Sequence, residues 1–296
     1  MKKTSIALCL CALLTAAPHL HGQVPGPGGL GGGFGGRDFF GEALSAMQRA
    51  FDRADSEPTM EDAHYLGRAV AAHILTLYRL CNRNPALTRY LNLITQTLVI
   101  NSPRPTAFRG YFVAVLDSPT FNAFATPGGH IFLTRGLVEA ATSEDMLAAV
   151  IAHELAHVML DHGLSMIAEM APSNAALEIA ARAADFAGGS PEAVRLTGFR
   201  DSVSTLVDTL VRSGFSRTQE FAADRKAVDL LVAAGYNPRA LVDMLRILQQ
   251  RQGPNPAGLL ATHPPPAERI REVENAIRRH RVTDTSAHRR ARFVNR

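Results

Sequence analysis

Ala148-Ala149-Val150-Ile151-Ala152-His153-Glu154-Leu155-Ala156-His157-Val158-Met159-Leu160 is the stretch from which the fold is read. Its composition predicts a helix. At roughly 100° per residue, His153 and His157 stand about 40° apart, one turn above the other. Two imidazoles so stacked can bind one Zn²⁺ at about 2.0–2.1 Å. Glu154 points to the side of the same face, where its carboxylate can reach a water on the metal without being a ligand. The remaining residues are apolar on every side, and a helix apolar all round is buried. Ionisable groups are costly in such a place unless they have a task. The plain alternative is two core histidines bonded to backbone or water, and the pentapeptide alone does not exclude it.

Just upstream, Thr142 or Ser143 can cap this helix, and Glu144 and Asp145 fall in its first turn, where the dipole favours acids. Gly163 is the expected stop. Before the helix, residues 111–116, 121–125 and 130–134 read as strands, with Pro127-Gly128-Gly129 turning the chain between the last two. An edge strand beside a metal-bearing helix can hold an extended peptide by main-chain hydrogen bonds. Asn122, Ala123 and Phe124 on one strand, with His130, Ile131 and Phe132 on the next, are the candidate substrate-binding residues; an ordinary hairpin is the alternative. Further back, residues 59–80 and 86–98 have helical spacing and are separated by Asn84-Pro85. His64 and His73, on the first of these, read as surface or satisfied core histidines. The expected architecture is mainly α with a small antiparallel β-sheet, the 148–160 helix being buried in a helical bundle.

Downstream, residues 164–187 form an Ala-rich helical stretch interrupted by Pro172, whose acids and Arg182 argue against a membrane span. Residues 203–211 continue helical. Residues 218–234 form the next helix of interest, with Glu220 and Asp224 one turn apart. Glu220 as a third ligand would complete an open tetrahedral site with a water. Asp224 could accept the spare N–H of a liganding histidine and fix its ring. A solvated acidic face paired with Arg217, Arg225 and Lys226 has the same spacing. Gly235 ends this helix, Pro238 opens another through Gln250, and a Pro-rich loop over 253–266 carries His263. That histidine is aimed at a cleft or lies on the surface. A last helix covers 268–279.

The 296 residues are 46% hydrophobic and 20% charged, ordinary for a globular chain. Net charge is +4, with arginines gathered near the C-terminus. Phe293 is the sole aromatic residue in that 282–296 tail, so nucleic acid is not expected as a partner. A solvated tail is the expectation, with anionic lipid or an acidic protein as the alternative. Met1 to Gly22 reads as a secretory signal: Lys2 and Lys3, then an apolar core too short to span a bilayer. Cleavage would leave Cys81 alone, excluding an internal disulfide. Residues 23–58 read as a Gly-rich linker followed by an amphipathic helix over 39–53, and 59–281 as the main domain.

Four pieces together resemble the HtpX/BepA-type zinc metallopeptidases, relatives of the CAAX prenyl proteases. They are Asn122-Ala123-Phe124-Ala125-Thr126-Pro127-Gly128-Gly129, Ala152-His153-Glu154-Leu155-Ala156-His157, Ser216-Arg217-Thr218-Gln219-Glu220-Phe221-Ala222-Ala223-Asp224, and Thr262-His263-Pro264-Pro265-Pro266-Ala267-Glu268-Arg269-Ile270. The resemblance implies a zincin-like domain binding one Zn²⁺ through His153, His157 and Glu220. It makes Glu154 the general base, Asp224 the residue that orients a ligand, and His263 an oxyanion donor or a removable blocking ligand. It implies an endopeptidase of the periplasm that acts on misfolded or extended proteins, with peripheral contact to the membrane or outer-membrane proteins. A chaperone-like binding protein whose site is held shut by His263 is the alternative.

Overall fold

The computed structural model describes residues 58–169, 185–212, 214–251, 263–283 and 286–294, with positions 45, 181 and 182 besides. The expected signal, linker and amphipathic helix, and the stretch around Pro172, lie outside the described residues. In chain order the elements are α1 (Met60–Leu77), α2 (Pro85–Ile100), β1 (Phe112–Leu116), β2 (Ala123–Ala125), a 3-10 turn (Pro127–Gly129), β3 (His130–Thr134), α3 (Arg135–Ala140), α4 (Glu144–Met159), α5 (His162–Glu169), α6 (Pro191–Arg212), α7 (Arg217–Ala233), α8 (Arg239–Gln250), α9 (Pro266–Ile277) and α10 (Ala287–Val294). The protein is mainly helical with one small sheet.

Helix α4 is the centre of the packing. Ser143 caps it, its hydroxyl accepting from the Met146 amide at 3.2 Å. Ala148, Ala149, Ile151, Ala152, Leu155 and Ala156 are fully buried. The alanines let α7, α8, α2 and β2 approach closely around it. Each larger apolar side chain buried here contributes about 1.5–3 kcal/mol. The acids of its first turn are also buried, and both are held. Tyr90 and Tyr236 donate to Glu144 at 2.7 and 3.0 Å. Asp145 accepts from the Asn237 amide at 2.8 Å and takes a two-pronged bond from Arg289, at 2.6 and 2.9 Å.

That last contact corrects the expectation of a solvated C-terminal tail. Residues of α10 dock on the body of the protein. Arg289 is buried, its guanidinium 4.9 Å from the centre of the Tyr236 ring and bonded to the Gly235 carbonyl at 3.1 Å. A basic composition marks this segment as soluble, but one arginine with a buried carboxylate to meet is enough to seat it.

The stop of α4 also differs from the expectation. Leu160 caps the helix, and Asp161, at φ 52°, turns the chain; Gly163 lies inside α5. Gly163 allows a close approach instead: a Cβ there would stand 3.0 Å from the Pro127 ring. The same turn presses on α1, where a Cβ on Gly67 would fall 1.6 Å from the Pro127 carbonyl oxygen.

The sheet is mixed, in the order β1-β3-β2. β1 pairs with β3 in parallel, Phe112 opposite His130 and Leu116 opposite Thr134. β2 pairs with β3 antiparallel, Phe124 opposite Phe132. The hairpin was legible, but the parallel pairing was not, because it joins strands separated by a loop and a third strand. The far side of β1 is covered: the Asn92 side chain bonds the Val113 amide and carbonyl, and the Cys81 amide donates to Val115 at 2.7 Å. Among the described residues β1 and β2 are thus the two edge strands, and β3 lies between them.

Candidate metal centre

The site begins with the two histidines of α4. Their rings are 4.8 Å apart and nearly perpendicular, with the Nε2 atoms 3.2 Å from one another. Helix α7 brings Glu220 to the same point. Ser216 and Gln219 cap α7 reciprocally, which fixes where its first turn starts. Glu220 Oε2 then lies 3.5 Å from His153 Nε2, and Oε1 lies 3.5 Å from His157 Nε2. Ligands about 2.0–2.1 Å from a tetrahedral zinc stand roughly 3.3 Å from one another. The donors of His153, His157 and Glu220 match that spacing.

Burial sharpens the case. Glu220 and Asp224 have no exposed surface, so neither belongs to a solvated acidic face. Arg217 and Arg225 pair instead with Glu268 and Glu272 on α9. Glu220 Oε1 is buried with no hydrogen-bond partner among the described residues. A buried carboxylate oxygen left without a donor is costly unless it meets a cation. Burial opposes the charge on Glu220, but the imidazoles of His263, His153 and His157 outweigh it and hold the carboxyl well below the usual range. Burial and Arg269 likewise oppose a charge on His153, yet bonds to Asp224 and Glu220 push its pKa up to about 9. Carboxylates that favour a proton on this ring favour a divalent cation at the same nitrogen. The residues present fit a zinc ion.

The structure brings Asp224 to the same ring, its Oδ1 3.1 Å from His153 Nδ1. Helix α9 supplies a residue to which no role was assigned. Arg269, buried, grips Asp224 with Nε at 2.9 Å and Nη2 at 2.6 Å. Its signal was present in the sequence: Arg269, Val273, Ala276 and Ile277 share one buried stripe, and a lone arginine on an apolar stripe needs a partner. On the other side, His162 and Phe215 enclose His157. The His162 and His157 Nδ1 atoms are 2.8 Å apart, and the Phe215 ring stacks on His157 at 4.1 Å. Neither was singled out, since a turn and a loop deliver them.

Glu154 is buried on the same helix, and its burial pushes the pKa up to about 7. His263 faces the site, Nδ1 2.5 Å from Glu220 Oε2. His153, Glu220 and His263 can each offer one donor atom within 4.8 Å of the others. Four side chains thus crowd one point, with His263 from the loop as the fourth.

The candidate substrate residues divide. His130, Ile131 and Phe132 belong to β3, which is hydrogen-bonded on both sides, so that strand's main chain is not available to a peptide. Of the two candidate strands, β3 is thus the central one. Asn122, Ala123 and Phe124 lie on or next to β2, which packs on α4. Asn122 is buried, and its side-chain oxygen accepts from the Ala123 amide at 3.0 Å. Among the described residues no helix is long and apolar enough to cross a membrane.

Residues 85–277 match the model of peptidase family M48. The chain is 31% identical over 199 residues to the beta-barrel assembly-enhancing protease of Escherichia coli O157:H7, covering 65% of this chain and 39% of that protein. It is 32% identical over 162 residues to the mitochondrial metalloendopeptidase OMA1 of Schizosaccharomyces pombe, 54% of this chain and 44% of that one. Over 156 residues it is 30% identical to the metalloprotease LoiP of Escherichia coli K12, covering 53% and 58%. The chain therefore spans about two fifths of the length of the first of these relatives.

Proposed function

From the premise that the chain belongs to peptidase family M48 and is a metallopeptidase, we propose a zinc-dependent endopeptidase of the cell envelope that cuts extended or misfolded proteins. The observation that carries this is the meeting of His153 Nε2, His157 Nε2 and the Glu220 carboxylate, whose Oε1 has no hydrogen-bond partner, within 3.5 Å, beside Glu154. Those three residues would hold the ion, which when bound acidifies a water and polarises the scissile carbonyl. Glu154 takes the proton of the attacking water. It then passes that proton to the leaving amine, a cycle suited to a carboxyl whose burial brings it near pH 7. Asp224 holds the His153 ring in place, and Arg269 holds Asp224. Strand β2, with Asn122, Ala123 and Phe124, lies beside α4 and is the strand assigned to line up an extended peptide.

The expected signal at Met1 to Gly22 supports export, with the periplasm as the compartment. Similarity to the beta-barrel assembly-enhancing proteases of Escherichia coli supports β-barrel proteins under assembly as substrates. The test is Glu154→Gln. Its zinc content, by elemental analysis, should equal that of the unaltered protein, while cleavage of unfolded casein falls about 10²–10⁴-fold, the usual share of a general base. Unchanged cleavage removes Glu154 from the mechanism.

One contact favours a second reading, in which the site is shut at rest: the 2.5 Å approach of His263 to Glu220. A histidine there closes the corner that a substrate carbonyl needs. His263→Ala discriminates by direction. Faster casein cleavage identifies a gate, as in a chaperone-like resting form, and slower cleavage identifies a donor to the oxyanion.

A further inference from the structure

Beside the metal centre lies a turn whose geometry is specified more tightly than a helix-to-helix connection requires. Asp161 takes the left-handed conformation, at φ 52°, which a residue with a side chain rarely adopts. Arg104 holds it there, Nη1 at 2.8 Å from Asp161 Oδ2 and 3.2 Å from the Met159 carbonyl. The Asp161 carbonyl in turn accepts from the Ser165 amide at 2.9 Å. Gly163 is wedged against the Pro127 ring. Between Asp161 and Gly163 stands His162, so every one of these restraints sets the position of one ring.

That ring faces His157. The Nδ1 atoms are 2.8 Å apart and both residues are buried. His157 turns Nε2 toward His153 and Glu220. An imidazole that binds a metal through Nε2 carries its proton on Nδ1, and that N–H needs an acceptor. His162 Nδ1, at 2.8 Å, stands where that acceptor must be, a role it fills in the tautomer with its proton on Nε2. The two α4 histidines are thus served by different chemistry: His153 by the carboxylate of Asp224, His157 by a neutral imidazole. A carboxylate strengthens a ligand by its charge, whereas a neutral acceptor fixes the ring without adding charge to a centre that already holds two acids.

We propose that His162 is the positioning residue of the second zinc histidine: it accepts the Nδ1–H of His157 and locks that ring's tautomer and tilt. This rests on the zinc peptidase reading above. The test uses the full chain, loaded with Zn²⁺ alone and titrated against a chromogenic chelator, with melting of the metal-free forms as a control on folding. His162→Phe keeps a ring in the same space and removes the acceptor. His162→Asn keeps an acceptor oxygen close to the Nδ1 position. Zinc affinity should fall about 10–100-fold in His162→Phe and stay within about threefold of the unaltered protein in His162→Asn, as loss and retention of a ligand's outer hydrogen bond require. Turnover should follow the same order, with kcat lowered and KM little changed. Equal zinc affinity in all three proteins overturns the proposal. So does equal loss in both variants, which makes the position one of packing alone. If the unaltered chain binds no zinc, the peptidase reading fails first; if it binds zinc and His162→Phe binds it as well, only the role of His162 fails.

Discussion

Glu154 and Glu220 are the same side chain set to opposite tasks by their neighbours. Both are buried, and burial alone would raise both. Glu220 is met by three imidazoles and stays charged, as a ligand must. Glu154 has weaker cationic company and is pushed up to about 7, where a carboxyl can both take and return a proton. Arg269 shows how much such an arrangement rests on one outer residue. It is the guanidinium above all that keeps the buried Asp224 charged and in place. Arg269→Met should leave that buried carboxylate with His153 as its remaining partner and destabilise the fold by about 3–5 kcal/mol, read by urea denaturation. It should also weaken zinc binding, because the partner of His153 is then free to turn.

At the scale of elements, what could be read in the sequence followed the reach of the signal. Helices α4 and α7 have local marks: apolar spacing, a Ser cap, a capping box, acids in the first turn. The hairpin of β2 and β3 has a local mark too, in Pro127-Gly128-Gly129. The order β1-β3-β2 has none, since parallel pairing is decided by what the rest of the chain brings together. That β3, and not β2, is the central strand is therefore a matter of sheet order, which strand recognition does not reach. Likewise Gly163 looked like a helix stop because glycine usually is one, while here it answers to the closeness of Pro127. His162 stayed unnoticed for the same cause: its value comes from Asp161, and a left-handed aspartate has no sequence signature. Gly67 offers a check on how tightly α1 is held. In Gly67→Ala the new methyl would overlap the Pro127 carbonyl, so α1 must move off the turn. A loss of about 1–3 kcal/mol or more is expected, seen as a lower thermal midpoint.

Taken whole, the molecule has a weak point toward acid that lies outside the metal centre. His64 is buried, chiefly by burial lowered to about 4, with Arg68 and Arg109 adding to the effect. Its ring lies 5.3 Å from that of His130, which burial and His64 lower to about 3. The unfolded chain takes up these protons near pH 6.5 and the folded one does not. Stability should therefore be greatest above pH 6.5 and fall steadily as pH drops toward 4. Urea midpoints measured from pH 7 to pH 4 should trace that decline, and His64→Gln should flatten it. A decline of the same steepness in His64→Gln would place its origin elsewhere.

The contact between Asp145 and Arg289 joins positions 144 apart in the chain. Glu220 and Arg269, too, come long after the two histidines they serve. During synthesis both rings of α4 leave the ribosome well before the carboxylate that completes their grip, and the clasp at the head of α4 cannot form until residue 289 has emerged. A chain halted before residue 220 thus holds two nitrogens with no carboxylate to meet them, half of a grip waiting for its other jaw.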